Sequence, residues 1–193
     1  MPVAFDNTVS TVLLNPRAGI PTHPDTGETI ELGRERVEGL VQRLQKDGER
    51  IILPTPVIAE LLTVSGPEGL QYLETITKSK VFEIGAFDLR AALELSLMNR
   101  SALAVGDKKG GIASPWQKVK FDRQIVAICK VYGVSVLYTD DAPLARIAAQ
   151  VGLKTAGIHE LEVPDEARQG KLQLEPHEEP PTETGEIHAD ESE

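Results

Sequence analysis

The chain has 193 residues, 40% of them hydrophobic, which is enough for one domain with a sizeable core. Its formal net charge of −10 comes from the C-terminal end, since residues 1–159 hold 18 acidic and 18 basic side chains, so the charge does not exclude a nucleic-acid partner. A single cysteine, no signal-like start and no long apolar stretch exclude a disulfide framework and a membrane partner, and we expect a cytoplasmic protein.

Short apolar segments alternate with helical periodicity along the first 160 residues. The predicted strands are 2–6, 51–53, 81–84, 134–138 and 154–158, and the predicted helices are 8–14 (turn or helix), 32–44, 57–62, 70–76, 88–99, 121–132 and 141–151. Proline and glycine indicate loops at 15–29 and 103–118. This pattern predicts an α/β fold with three α/β/α layers and a short, mostly parallel central sheet over residues 1–160. Residues 161–193 are predicted to form an acidic, disordered C-terminal tail.

Acidic residues follow two of the predicted strands. Asp6 ends the first, and Asp140 and Asp141 come directly after the strand 134–138. Because open parallel sheets bind ligands at the carboxyl ends of their strands, we expect these residues to share one edge of the sheet. Two further carboxylates are unusual in position: Glu60 lies in an apolar helix that we expect to be largely buried, and Asp122 is expected to open a helix that faces the core.

Four converging carboxylates would repel one another by roughly 3–4 kcal/mol per pair at an effective dielectric constant of about 20. A divalent cation relieves that repulsion, and an all-oxygen ligand set favours Mg²⁺ or Mn²⁺. Each residue also has a purely structural interpretation: Asp6 and one of Asp140 and Asp141 as helix N-caps, Asp122 as a charge in a first helical turn, and Glu60 on a half-exposed face. The metal-site prediction therefore depends on the whole constellation.

Three segments resemble a known family: AFDNTVSTVLL, ILPTPVIAELL and KFDRQIVAICKVYGVSVLYTDDAPLARIAAQVG. Their order between residues 3 and 159 resembles the successive acidic motifs of PIN domains, with the bacterial VapC-like toxins the most similar in appearance. The resemblance implies an Mg²⁺- or Mn²⁺-dependent endoribonuclease that cuts single-stranded RNA with a metal-activated water. It also implies a homodimer that is the toxin of a toxin–antitoxin pair. The catalytic, metal-binding residues it implies are Asp6, Glu60, Asp122 and Asp141, with Asp140 competing for the fourth position.

Basic residues cluster around the third acidic motif. Lys118, Lys120 and Arg123 are predicted to hold substrate phosphates, and the nearby Trp116 can either stack a base or cap the core. The resemblance adds Thr8 as the small polar residue beside the first aspartate. The rival hypotheses are a catalytically silent PIN-fold module that binds RNA or protein, and a phosphotransferase with Asp6 as nucleophile, which leaves Glu60 unexplained. No glycine-rich dinucleotide or P-loop motif is present.

Overall fold

A computed structural model describes residues 1–169 of the chain. Its five strands form one sheet in the order β3-β2-β1-β4-β5, and every pair of neighbours is parallel. The strands are Val3–Phe5 (β1), Ile51–Pro54 (β2), Phe82–Gly85 (β3), Val136–Tyr138 (β4) and Lys154–Ala156 (β5). The predicted α/β class with a short parallel sheet is confirmed.

Helices connect each strand to the next and return the chain to the end of the sheet where the parallel strands begin. They are Asn7–Leu14 (α1), Gly33–Lys46 (α2), Thr55–Ser65 (α3), Gly69–Lys78 (α4), Leu89–Ala104 (α5), Trp116–Val131 (α6), Ala142–Gln150 (α7) and Asp165–Gln169 (α8). Short 3-10 turns cover Gly66–Glu68 and Ile158–Glu160. Within the described residues, no helix is both long enough and apolar enough to cross a membrane.

The core is divided in two by the sheet, as the alternation of side chains along a strand requires. Phe5 and Leu53 point into a cluster completed by α1, α2 and α4, whereas Ala4 and Ile52 point into a cluster completed by α6 and α7. Helices therefore cover both faces, and the three-layer prediction is confirmed.

The strand order places a topological switch point between β1 and β4. The chain runs outward from β1 to β2 and β3, then crosses back so that β4 pairs with the other side of β1. The residues that follow β1 and β4 therefore lie beside each other at the carboxyl edge, where open α/β sheets bind ligands.

Two predicted boundaries differ from the structure. The loop predicted at 103–118 is shorter, because α5 continues to Ala104 and α6 begins at Trp116. At the C-terminal end, regular structure continues past the predicted boundary at 160: Leu161 is buried, and Pro164 packs so closely on Gly39 of α2 that a Cβ there would lie 2.4 Å from the proline Cγ. The rest of the predicted tail, 170–193, lies outside the described residues.

Candidate active site

Asp6 is buried at the carboxyl end of β1, with only 3% of its surface exposed. Its Oδ1 accepts a hydrogen bond from the backbone N–H of Val9 (2.8 Å) and so caps α1, while its Oδ2 accepts one from the hydroxyl of Thr139 (2.5 Å). The backbone N–H of Asp6 donates to the carbonyl of Tyr138, which fixes the residue against the end of β4. Burial raises the pKa of Asp6 to about 7, with Asp140 and Asp141 adding to the rise and the two hydrogen bonds opposing it.

Asp122 and Asp141 share one cation, the ammonium of Lys118. Its Nζ lies 2.7 Å from Oδ2 of Asp141 and 3.4 Å from Oδ1 of Asp122. Burial raises the pKa of Asp122 to about 6 although Lys118 opposes the shift, and the other oxygen, Oδ2, is buried without a hydrogen-bond partner among the described residues. Although its own burial acts the other way, the two carboxylates raise the pKa of Lys118. Lys118 and Asp122 are four residues apart on α6, a spacing that places them on the same side of the helix.

The two competitors for the fourth acidic position have different surroundings. Asp141 is the N-cap of α7, since its Oδ1 accepts from the N–H of Leu144 at 3.0 Å. Asp140 turns toward the end of β5: its Oδ1 accepts from the N–H of Ile158 at 3.1 Å and lies 3.9 Å from Nδ1 of His159. Burial raises the pKa of Asp140, whose Oδ2 has no partner in the described part of the chain. Asp141 alone joins the Lys118 cluster, whereas Asp140 approaches Asp6 by charge alone.

The prediction that Glu60 is buried is wrong, because its side chain is exposed. The apolar residues of α3 that face the core are Val57, Ile58 and Leu61, and the helical period puts Glu60 at the flank of this buried face, where it is exposed. Its carboxylate nonetheless faces the site: it raises the pKa of Asp122 and lines a groove of about 470 Å³. The groove runs between α3 and α6 and is lined by Ala59, Glu60, Thr63, Gln117, Lys118, Phe121 and Asp122.

The predicted position of Asp122 in its helix is also wrong. Because α6 begins six residues before it, Asp122 lies in the second turn and cannot act as a first-turn charge. The earlier start also places Lys118, which was predicted to lie in the loop 103–118, on the helix.

The residues predicted to hold substrate occupy different environments. Lys118 contacts carboxylates, Lys120 is exposed with its Nζ 5.9 Å from the centre of the Trp116 ring, and Thr8 is half-buried in the first turn of α1. Arg123 is only 2% exposed and donates to Oδ1 of Asn99 at 2.9 Å. Its guanidinium also lies 5.7 Å from the Trp116 ring, so Arg123 is held inside the helical layer, and the predicted phosphate contact is not supported for this residue.

Comparison with solved structures finds chains with the same architecture, two of which come from VapBC complexes. The chain superposes on VapBC2 from Rickettsia felis bound to a promoter DNA fragment with a TM-score of 0.52 and 12% identity, over 81% of this chain and 98% of the other. It superposes on DNA-bound VapBC from Salmonella typhimurium with a TM-score of 0.51 and 13% identity, over 82% and 98%. The chain has a PIN-like fold. No protein-family model and no curated protein sequence matches it.

The acidic side chains of this PIN-like fold suit a divalent cation in their chemistry. The donors are carboxylate oxygens, and Oδ2 of Asp122 is buried without a partner in the part of the chain that the structure describes. The raised pKa values of Asp6 and Asp122 are what a nearby cation would lower. In this conformation, however, residues 1–169 contain no group of three or more Asp, Glu, His or Cys side chains arranged to hold a metal ion. The Lys118 ammonium stands between two of the carboxylates instead.

Two residues of the site were missed by the sequence interpretation. Thr139 is 4% exposed, and its hydroxyl donates to Asp6 and accepts from the N–H of Asp141 at 3.0 Å. It therefore links the ends of β1 and β4 to the start of α7. A buried threonine directly after a strand and before two aspartates is the signal that points to it. The second is Lys118 as a partner of carboxylates, which its spacing of four from Asp122 indicates once the start of α6 is known.

Proposed function

We propose that this chain is a metal-dependent endoribonuclease that cuts single-stranded RNA with Mg²⁺ or Mn²⁺. The observation that supports it most is the buried Asp122 carboxylate, whose Oδ2 lacks a partner within residues 1–169 while Asp141 and Glu60 add negative charge beside it. A fold stabilises such a group poorly by itself, because a buried carboxylate oxygen without a partner is costly. The cluster lies at the carboxyl edge of a PIN-like sheet, beside the switch point.

Asp6, Glu60, Asp122 and Asp141 would hold the cation, with Asp140 the alternative to Asp141. When bound, a Mg²⁺ or Mn²⁺ ion supplies a Lewis acid that activates water and stabilises charge on the scissile phosphate. The chain's own residues prepare the site: Val9 and Thr139 fix the orientation of the Asp6 carboxylate, and the α7 N-terminus fixes that of Asp141. The expected products carry a 3′-hydroxyl and a 5′-phosphate.

The groove between α3 and α6 is the proposed path for RNA. It leads to Asp122, and Phe121 on its wall is 38% exposed, which offers a ring for base stacking. Lys118 and Lys120 are exposed on the same helix and can bind phosphates without reading sequence. A path of this kind favours single strands, whose bases are free to stack.

The test is cleavage of a 5′-labelled single-stranded RNA with Mg²⁺, with Mn²⁺ and with EDTA. We expect cleavage with either ion, none in EDTA, and a loss of at least about 100-fold for Asp6→Asn and Asp122→Asn, because each removes a charge that grips the ion. Asp47→Asn is the matched control, since this exposed aspartate ends α2 at the opposite edge of the sheet. Cleavage that persists in EDTA, or equally in all variants, contradicts the proposal.

A partner protein is the second part of the proposal. Two solved structures that share the fold are VapBC assemblies, and we propose that this chain is likewise the cytoplasmic toxin of a toxin–antitoxin pair and a homodimer. An exposed apolar stripe on α5 supports a protein partner: Leu89, Leu93 and Leu97 are 76%, 60% and 54% exposed at a spacing of four. Apolar residues clustered on one surface in this way are typical of protein interfaces.

A catalytically silent PIN-fold module that binds RNA is the second candidate. It is favoured by one observation: in the described conformation the oxygens of Asp6 and Asp141 are already used in helix caps and in contacts with Thr139 and Lys118. Binding of single-stranded RNA without cleavage at saturating Mn²⁺ would establish this candidate and reject the nuclease.

A further inference from the structure

The Lys118 ammonium stands where a cation is most needed in the acidic cluster. It contacts Asp141 at 2.7 Å and Asp122 at 3.4 Å, and these carboxylates come from different elements, the α7 N-cap and the second turn of α6. The other described lysines that pair with acids, Lys78 and Lys130, each contact a single glutamate. Lys118 alone among them bridges two proposed metal ligands.

An ammonium in this position and a divalent ion exclude each other. Both require the same oxygens, and at contact distance in a half-buried site two cations repel strongly. The lysine also restricts Asp141, whose Oδ1 is already committed to Leu144, so that both of its oxygens are in use.

The ammonium also has a route out of the cluster. The Lys118 side chain is 42% exposed and lines the groove between α3 and α6, where its flexible stem reaches solvent or a phosphate. Asp122, in contrast, is only 5% exposed at its side chain. The lysine is therefore the member of the pair that has open space beside it.

We propose that Lys118 is a built-in competitor of the metal ion, which neutralises Asp122 and Asp141 in the metal-free protein and must leave them before a divalent cation binds. The inference rests on the proposed nuclease function, because it concerns the same carboxylates. The Lys118 contacts stabilise the protein in the absence of metal. The stronger these contacts are, the weaker the binding of the metal ion becomes.

The first experiment measures Mn²⁺ affinity by calorimetry for the full chain and three variants. Lys118→Met removes the charge and keeps much of the side-chain volume, and we expect about tenfold tighter Mn²⁺ binding. Lys118→Arg keeps the competing charge and Lys120→Met removes an equal charge one half-turn away, so both are expected to bind Mn²⁺ as the wild type does. Equal or weaker binding by Lys118→Met overturns the inference.

The second experiment uses only the wild-type chain and so does not depend on how a variant folds. Acetylation of lysines by an anhydride is followed by mass spectrometry with and without saturating Mn²⁺. If Mn²⁺ displaces the Lys118 ammonium from the carboxylates, we expect the acetylation of Lys118 to be several-fold faster with Mn²⁺ than without it. The acetylation rate of Lys120 should stay the same. An unchanged or slower rate at Lys118 overturns the inference.

The two proposals fail in different ways. If the wild type binds Mn²⁺ and cleaves RNA but Lys118→Met gains no affinity, the competitor role is rejected and the nuclease stands. If neither the wild type nor Lys118→Met binds Mn²⁺, the metal-dependent nuclease itself is rejected, and the competitor role with it. Binding by Lys118→Met alone gives the strongest support for the competitor.

Discussion

At the scale of single residues, Asp6 combines a structural and a chemical role. Its Oδ1 caps α1 and its Oδ2 is held by Thr139, yet a carboxylate has about four lone-pair positions and can accept further bonds. A helix cap and a metal ligand are therefore compatible in one side chain. Asp141 likewise caps α7 with one oxygen, and its other oxygen, which now binds Lys118, becomes available to a metal ion when the lysine leaves.

The raised pKa of Asp6 predicts how the stability of the metal-free protein depends on pH. Because the pKa is about 7 when folded and 3.8 ordinarily, the folded state holds the proton more tightly, and this contribution to stability is lost as pH rises between those values. In EDTA we expect the Asp6 carboxyl alone to lower the free energy of unfolding by about 3 kcal/mol from pH 5 to pH 8. Urea denaturation at a series of pH values measures it.

Asp6→Asn is the variant that isolates this effect. The amide keeps an oxygen for the Val9 N–H but carries no charge, so the variant should exceed the wild type in stability at pH 8 and equal it only below the ordinary pKa of 3.8. The residual slope expected from Asp122, whose pKa is about 6, should remain. A wild-type slope in Asp6→Asn, or a flat one in the control Asp47→Asn, contradicts the assignment.

Thr139 is predicted to position Asp6, not to react. Thr139→Val removes the hydroxyl that serves both Asp6 and the Asp141 N–H, and we expect a loss of about 1–3 kcal/mol in the free energy of unfolding. Mn²⁺ affinity should fall about 10- to 100-fold, as is usual when an outer partner of a ligand is lost. Thr139→Ser keeps the hydroxyl and should retain both; a Thr139→Val variant with unchanged Mn²⁺ affinity shows that Thr139 is only structural.

At the scale of elements, the helical period of α6 places charged residues that line the groove and a buried charged residue on different sides of the helix. Lys118 and Asp122 lie on the side that lines the groove, whereas Arg123, one residue on, lies inside against Trp116. A rotation of about 100° per residue is enough for this separation. Lys118 and Arg123 are therefore close in sequence, but only Lys118 faces the groove.

The same helix shows where prediction from sequence succeeded and where it stopped. Alternating short strands and helices predicted the sheet, and the positions of Asp6, Asp140 and Asp141 after β1 and β4 predicted that they share its edge. The glycines and the proline of the segment before α6 hid the start of the helix, and with it the contact of Lys118 with Asp122. The orientation of Asp140 toward Ile158 depends on packing between β4 and β5, which periodicity does not describe.

The exposed face of α5 carries a prediction about assembly. Only Ala91 of its sixteen residues is buried, so charged substitutions on the leucine stripe should cost little stability, within about 0.5 kcal/mol. We expect the wild type to be a dimer by light scattering and Leu93→Glu and Leu97→Glu to be monomers. Leu70→Glu, at a leucine that is 75% exposed on α4, is the matched control and should remain a dimer. A monomeric wild type rejects the homodimer.

At the scale of the whole molecule, charge is divided unequally along the chain. The folded part, which carries the acidic site and the exposed lysines, is nearly neutral, whereas residues 170–193 hold eight acidic side chains against Lys171. The negative charge of this acidic segment competes with the negative charge of an RNA backbone for the same lysines. Such competition acts over about 10 Å at 0.1 M salt. The acidic segment is therefore expected to weaken RNA binding without changing the site.

Deletion of 170–193 tests this expectation. The cut falls beyond Leu161 and Pro164, which pack on the core and on α2, so the free energy of unfolding and the Mn²⁺ affinity should stay within about twofold of the full chain in equilibrium constant. RNA affinity, measured by fluorescence anisotropy in the Asp122→Asn background to prevent cleavage, should rise several-fold at 50 mM salt, and the difference should vanish near 0.5 M because salt screens exposed charges. Equal RNA affinity of the two proteins at low salt would show that the acidic segment does not compete, whereas a difference that persists at high salt would require a contact other than charge.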